Sequence, residues 1–340
     1  MRHKITSAIY YAFFFGLAIA AMYYCFKNVK FADLVFQLKE ANYFLIALSL
    51  IFGMIAYLVR ALRWQILIKP LGHKPSLYHV YNAVMLGYLA NLVVPRIGEV
   101  TRCAILNKTD KIPGDSLFGT VVVERVVDLI SLFVLTIFVF FLRMDFFSRF
   151  VSERIILPLS SSSYNVSGGA IAIICSVVVC LSTLTVLFWK RIVNTSFAKK
   201  IRMLLRGIFA GLKTIFKMER HISFIIYTIT IWTCFWMMSY CIAEAMPTTA
   251  WLDPIDSLFL MALGSMGWVV PVPGGMGSFH TLIAWGLMMY GLSFKEGVVF
   301  ATISHESQII IMIVLGLISL ISVSLISGKK VRIINVHTHE

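Results

Sequence analysis

The sequence predicts an all-α polytopic membrane protein with six full transmembrane helices plus two re-entrant helical hairpins, arranged as two inverted repeats. Three observations predict it. Apolar runs long enough to cross a bilayer recur along the chain at 5–26, 42–62, 117–142, 167–189, 222–245 and 297–327. Of the 340 residues, 59% are hydrophobic and only 14% charged, with mean hydropathy +0.86, against about 25% charged in a soluble domain. Two further apolar stretches are broken by proline and glycine before either is long enough to span. They are Val93-Val94-Pro95-Arg96-Ile97-Gly98-Glu99 in the first third and Val269-Val270-Pro271-Val272-Pro273-Gly274-Gly275 in the last. A paired break of this kind, in corresponding places of two halves, is the sequence pointer to a transporter site at the membrane midplane.

Each element follows from the same physics. A hydrocarbon core of roughly 30 Å needs about 20 helical residues at about 1.5 Å each, and each of the six long runs supplies them. The N-terminus, Arg2-His3-Lys4 followed by 5–26, resembles a signal peptide, but its apolar run is too long and the next segment is also membranous. It therefore reads as a retained first span. Residues 78–94 stop at Pro95, and 257–270 stop at Pro271 and resume over 278–290. Neither arm spans alone, so both regions read as re-entrant hairpins.

Basic residues set the orientation. The segment 190–220 carries nine Lys or Arg and one acid, Glu219, which places it in the cytoplasm. Counting outward puts both termini inside, with Arg60, Arg63, Lys69 and Lys74 in the cytoplasm after the second span. The Ser-rich loop 143–166 and the loop from Pro247 to Asp256 lie outside. Three crossings separate the hairpins, so they enter from opposite faces. Each hairpin is followed by a span bearing polar residues: Glu124, Arg125 and Asp128 after the first, His305, Glu306 and Gln308 after the second. Two units of span, span, hairpin, span account for a transmembrane domain over 1–328, with repeat one at 1–142 and repeat two at 167–328. A basic cytoplasmic helix or loop occupies 190–221, and a cytoplasmic tail 329–340. Within 197–218, Ile201, Leu204, Leu205, Ile208, Leu212 and Ile215 recur at helical spacing opposite Arg202, Arg206, Lys213 and Lys217. That pattern fits an amphipathic helix on anionic inner-leaflet headgroups, or alternatively a plain basic linker.

Composition also excludes. A net charge of +14 would suit nucleic acid, but the charges sit in loops, where the positive-inside effect accounts for them. The cysteines Cys25, Cys103, Cys175, Cys180, Cys234 and Cys241 form no CxxC pair and read as small buried hydrophobes. No metal site and no cofactor is expected. There is no P-loop and no nucleophile elbow, so no enzymatic activity is expected either.

The candidate chemistry lies at the breaks. Arg96 and Glu99 fall at the first tip, where a half-helix starting near Gly98 aims backbone N–H groups at an anion. Alternatively the two form a structural ion pair. Gly274, Gly275 and Gly277 form the second tip, where glycine permits close approach and the next helix begins near Ser278. The clusters Glu124, Arg125, Asp128 and His305, Glu306 read as gates or proton relays, or as tethers between helices.

Pro95-Arg96-Ile97-Gly98-Glu99 with Arg102, then Glu124-Arg125, then Pro273-Gly274-Gly275-Met276-Gly277, resembles the membrane region of the lysylphosphatidylglycerol synthase/flippase family across about residues 5–327. The resemblance implies a flippase-like domain acting on lipids. The candidate substrate-binding residues at the two breaks are Arg96, Gly98, Glu99, Arg102, Gly274, Gly275, Gly277, Ser278 and His280. Bifunctional members add an aminoacyl-transferase domain; this chain ends at Glu340, so lipid aminoacylation is not expected. Two departures bear on substrate. Ser278-Phe279-His280 stands where the family often has Glu, and His305-Glu306 where it often has Arg. The expected function is movement of an anionic lipid, a phospholipid or a polyprenyl-phosphate-linked one, between leaflets of the inner (plasma) membrane. The alternative is a non-transporting scaffold or accessory subunit of an envelope glycosyltransferase or lipid-modifying enzyme. Membrane lipids are the expected partners, homo-oligomerisation is left open, and no nucleic acid is expected.

Overall fold

The computed structural model describes residues 2–151 and 219–337, with side chains over 14–148 and 219–325. The expected span 167–189, the basic helix 197–218, most of the Ser-rich loop, Cys175 and Cys180 lie outside the described residues. The described elements are all helical. In order they are α1 (Arg2–Phe26), α2 (Phe31–Glu40), α3 (Tyr43–Ile68), α4 (Leu77–Val93), α5 (Gly98–Asp110), α6 (Gly114–Leu142), α7 (Met144–Val151), α8 (His221–Ala245), α9 (Pro254–Val269), α10 (Ser278–Met289) and α11 (Phe294–His337).

By internal contacts the chain divides into two compact units, residues 1–139 with 218–340 and residues 140–217. In the second, Phe140 stacks on Phe147 with centroids 5.2 Å apart. All that follows concerns the first.

Helix starts are written in the sequence. Asn42 accepts the Phe44 N–H at 3.0 Å, and Ser76 accepts that of His79 at 3.2 Å. Asp253 and Asp256 cap α9 reciprocally, behind Pro254 at the first helical position. Ser293 and Glu296 do the same at the start of α11. These partners satisfy N–H groups that a helix leaves open at its first turn.

Among the described residues, four helices are long and apolar enough to cross a membrane: Tyr43–Leu71, Gly114–Leu142, His221–Ala245 and Phe294–Leu325. The described side chains of α1, Phe14–Phe26, and the shorter helix Pro254–Val269 are apolar as well. Only 17% of the most apolar stretch of α6 is buried. Phe133, Val134 and Phe138 on α6, and Ile310, Leu317 and Ile321 on α11, face outward. An apolar surface of that extent matches lipid tails rather than water. Inside, α3 and α8 pack closely. Gly53 admits Met238, and the Ser49 hydroxyl donates to the Met238 carbonyl at 3.3 Å.

Two differences from the sequence expectation matter. The helix expected over 42–62 continues to Ile68, so Arg60 and Arg63 are not in a cytoplasmic loop but buried within α3. Carboxylates on α6 neutralise them, which removes the reason for the chain to leave the apolar layer. The connection 27–41 contains a helix, α2, whose start is held by the Asp33 carboxylate accepting the Lys30 N–H at 2.9 Å.

Asp33 also pairs with Lys295 of α11 at 2.9 Å. That hydrogen bond first, and the Lys30 N–H second, hold its carboxyl below the usual carboxylate range. A depressed value means the contribution is complete above the ordinary carboxylate pKa and is lost as pH falls through the lowered one. A spin label at Phe36→Cys should therefore gain mobility in acid, and Lys295→Ala should make it mobile already at neutral pH. A label that ignores pH would show that α2 is held by other contacts.

Both proline breaks form helix–turn–helix pairs. In the first, α4 and α5 meet at glycine: a Cβ on Gly98 would collide with the Gly87 carbonyl oxygen and lie 2.7 Å from Asn91 Cγ. In the second, Gly267 lies against the Phe279 backbone, a Cβ there falling 2.6 Å from Phe279 Cα. Small residues at such crossings let backbones approach without a side chain between them. Arg96 sits at the first turn with φ 62°, a left-handed conformation that costs a non-glycine residue about 1 kcal/mol or more.

Candidate functional site

The candidate residues form two clusters, one against each helix–turn–helix pair. The first is built on Glu124 of α6, fully buried. Three arginines converge on it. Arg102 of α5 reaches Oε2 at 3.0 Å, Arg60 of α3 reaches Oε1 at 3.1 Å, and Arg63 of α3 lies 3.4 Å from Oε1. Asp128, one turn on, takes Arg63 at 2.7 Å and Arg60 at 3.1 Å. Arg125 pairs through Nε with Glu99 of α5 at 3.2 Å. Aromatic faces lie along the cations: Trp64 is 4.6 Å from the Arg102 guanidinium carbon, and Tyr88 is 5.9 Å from that of Arg60.

The charges do not balance. Arg60, Arg63, Arg102 and Arg125 face Glu99, Glu124 and Asp128. Nε and the second terminal nitrogen of Arg102 are buried without a hydrogen-bond partner, as are Nε of Arg60 and of Arg63. Buried donors left without acceptors are costly, most of all on a charged group. Beside them runs a narrow cleft, with room for about one water molecule, lined by Arg60, Gly87, Tyr88, Asn91, Gly98, Arg102 and Arg125, with Val84 at its wall. Its lining is cationic, and two of the arginines that line it, Arg60 and Arg102, carry unpaired buried donors. Chemically that is a place for an oxyanion, which Arg grips with two parallel N–H groups.

The expected tip residues are placed differently from one another. Arg96 does not pair with Glu99; its guanidinium donates to the Val269 carbonyl at the end of α9, at 3.2 Å. It joins the first turn to the second through a carbonyl at the negative end of a helix. The Gly98 N–H is capped by the Asn91 side chain at 2.7 Å. In the second turn, Gly275 N–H donates to the Val272 carbonyl at 3.2 Å. The Ser278 hydroxyl donates to the Gly267 carbonyl at 2.8 Å, and a Cβ on Gly277 would lie 2.6 Å from Ala21 of α1. The glycine turn is thus packed, and it does not line the cleft of the first cluster.

The second cluster joins the two places where the sequence departs from the family resemblance. His280 of α10 and His305 of α11 are both fully buried, with ring centroids 4.9 Å apart. Nε2 of His305 is 2.8 Å from the Gly274 carbonyl, and Nδ1 is 3.2 Å from Oε1 of Glu306. Neither nitrogen of His280 has a hydrogen-bond partner. The rings of Trp268 and Phe279 pack against His305 at 5.1 and 5.0 Å.

Of the residues singled out in the sequence, Glu99, Arg102, Glu124, Arg125 and Asp128 fall in the first cluster and His280, His305 and Glu306 in the second; Arg60 and Arg63, read from the sequence as cytoplasmic charges, join the first. A signal was available: Arg60 and Arg63 stand three apart at the end of an apolar run, one helical turn, with Trp64 beside them. Two arginines on one face of a span call for carboxylates on a neighbour.

Comparison with known proteins places the chain in a membrane-protein family. The family described as Lysylphosphatidylglycerol synthase TM region matches residues 9–316. A UPF0104 membrane protein of Methanocaldococcus jannaschii is 31% identical over 145 residues, 41% of this chain and 41% of its own length. The glycosyltransferase AglD of Haloferax volcanii is 23% identical over 133 residues, 39% of this chain and 21% of its own. The chain therefore matches less than half the length of either relative. No solved structure matches at comparable significance.

Proposed function

From the premise that this multi-pass chain belongs to the family of the lysylphosphatidylglycerol synthase transmembrane region, we propose that it is a lipid flippase rather than an enzyme, moving an anionic lipid between leaflets. The observation that carries this is the cleft beside Arg102, where buried guanidinium nitrogens lack an acceptor. A phosphate-bearing headgroup supplies the missing oxygens, while the acyl or prenyl chains stay among the outward apolar faces of the helices. The cleft is too narrow for a headgroup as it stands, so uptake requires the α4–α5 pair to move against α3 and α6. Glu99–Arg125 is the contact that would open first, since Arg125 is 43% exposed whereas the Glu124 cluster is almost wholly enclosed.

We read the two helix–turn–helix pairs as re-entrant hairpins of two inverted repeats in a six-span plasma-membrane protein, with both termini cytoplasmic. Supporting this, each polar span faces its own hairpin. Arg102 and Glu99 of the first meet Glu124 and Arg125 of α6, while Gly274 and His280 of the second meet His305 of α11. Each cluster would serve as the gate of one half.

Reconstitution tests the reading. In vesicles carrying fluorescent phosphatidylglycerol, or in a second arm fluorescent polyprenyl phosphate, wild type should exchange the label between leaflets. Arg102→Gln should slow exchange about tenfold or more, the value of one charge-assisted contact. Label exchange by Arg125→Gln and Arg102→Gln at the wild-type rate would exclude the cleft. Wild-type protein that moves neither label would favour the second reading, an accessory subunit of a glycosyltransferase, which the resemblance to a protein named as one supports.

A further inference from the structure

The cluster at the second hairpin holds a chemical inconsistency as it stands. The Gly274 carbonyl only accepts, so the proton of His305 lies on Nε2. Nδ1 then presents a lone pair to a carboxylate oxygen of Glu306 at 3.2 Å, two electron-rich atoms with nothing positive between them. His280 adds a second anomaly, because both its nitrogens are buried without a partner. One ligand atom from each of His280, His305 and Glu306 lies within 4.8 Å of the other two.

From these we infer that His280, His305 and Glu306 form a binding site for a divalent transition-metal ion of the zinc class. Two imidazoles and a carboxylate are a ligand set that Zn2+ accepts in sites with a further open position. The Nε2–H of His305 held by a backbone carbonyl is the outer-shell bond that orients a ligating imidazole and fixes its tautomer. The ion places positive charge against the Glu306 oxygen and gives His280 the partner it lacks. Trp268, Phe279 and Phe26 supply the apolar wall, Phe26 lying 5.8 Å from the His280 ring. Glu306, with its side chain 44% exposed, is the way in. No Lys or Arg among the described residues makes an ion pair with the cluster. The ion would tie α10 to α11 and, through Gly274, hold the glycine turn. A shared proton between His305 and Glu306 would relieve only the first anomaly and leave His280 unpartnered.

The test uses the full chain in detergent with no histidine tag, stripped by chelator and titrated with Zn2+ alone. Wild type should bind one ion per chain and melt at a higher temperature with Zn2+ than without, since an ion held only by the folded state stabilises it. Co2+ should give ligand-field absorption of a low-coordinate nitrogen and oxygen site. His280→Ala should lose stoichiometric binding and the melting shift together. Because that variant changes the core, Glu306→Gln serves as the second: its carboxylate is half-exposed, so it should fold like wild type and bind Zn2+ weakly. Wild type that takes up no Zn2+, or uptake unchanged in both variants, overturns the assignment. Zn2+ binding is read without lipid, so it stands or fails separately from transport.

Discussion

Glu124→Gln should lower the melting temperature of the purified protein sharply, and far more than Asp128→Asn. Glu124 is fully enclosed and touches Arg60, Arg63 and Arg102. Removing its charge leaves those three arginines with Asp128 as their one remaining close carboxylate, and Asp128 does not reach Arg102. Breaking a buried ion pair by deleting one partner typically costs about 3–5 kcal/mol, because the other charge stays desolvated. Here three charges are left, while glutamine still accepts one hydrogen bond and so keeps the shape. Asp128→Asn is milder, since Glu124 still faces both α3 arginines. Thermal unfolding of the detergent-solubilised proteins, followed by tryptophan fluorescence, measures the difference. If Glu124→Gln melts within about 1 kcal/mol of wild type, the cluster does not hold α3, α5 and α6 together.

That cluster marks the limit of what could be read in the chain. The helix breaks were legible because proline and glycine act locally: Pro95 ends α4 and Pro271 follows the end of α9 whatever surrounds them. Glu124, Arg125 and Asp128 were legible as charges inside an apolar run. Their partners were not, because Arg60 and Arg63 sit at the end of a run where the positive-inside rule offers a ready explanation, and the carboxylates that hold them are some 60 residues away. Arg96 was legible as a tip residue, yet its acceptor is a backbone carbonyl of another helix, and no residue type announces a carbonyl. The glycine turn was legible as close approach, but whether its N–H groups face a ligand or each other depends on φ values at Gly274, Gly275 and Gly277. His280 and His305 were each noticed as departures from a family pattern. Only the pairing of α10 with α11 brings them into one site.

Gly98→Ala should be the most damaging single-methyl change in the first hairpin, and Gly119→Ala the harmless control. The Cβ of alanine at 98 would meet the Gly87 carbonyl oxygen and the Asn91 amide, with Asn91 Nδ2 at 2.8 Å. Neither yields cheaply. The carbonyl belongs to the helix backbone of α4, and the amide is the cap of α5, fixed by its 2.7 Å bond from the Gly98 N–H. Relief requires α4 and α5 to separate, which would carry Arg102 away from Glu124 and widen the cleft. Overpacking of this kind costs typically about 1–3 kcal/mol, and the loss of the cap adds about 1 kcal/mol. Gly119 lies in α6 with no atom near its Cβ position, so alanine there should be neutral or gain up to about 1 kcal/mol from helix propensity. Melting temperatures separate the two at once. Lipid exchange separates them further: Gly119→Ala should run at the wild-type rate, whereas Gly98→Ala should lose anionic-lipid exchange even at temperatures where it remains folded. A Gly98→Ala protein that melts and transports like wild type would mean that the two helices are not held at this crossing, and the cleft between them would no longer be a defined site.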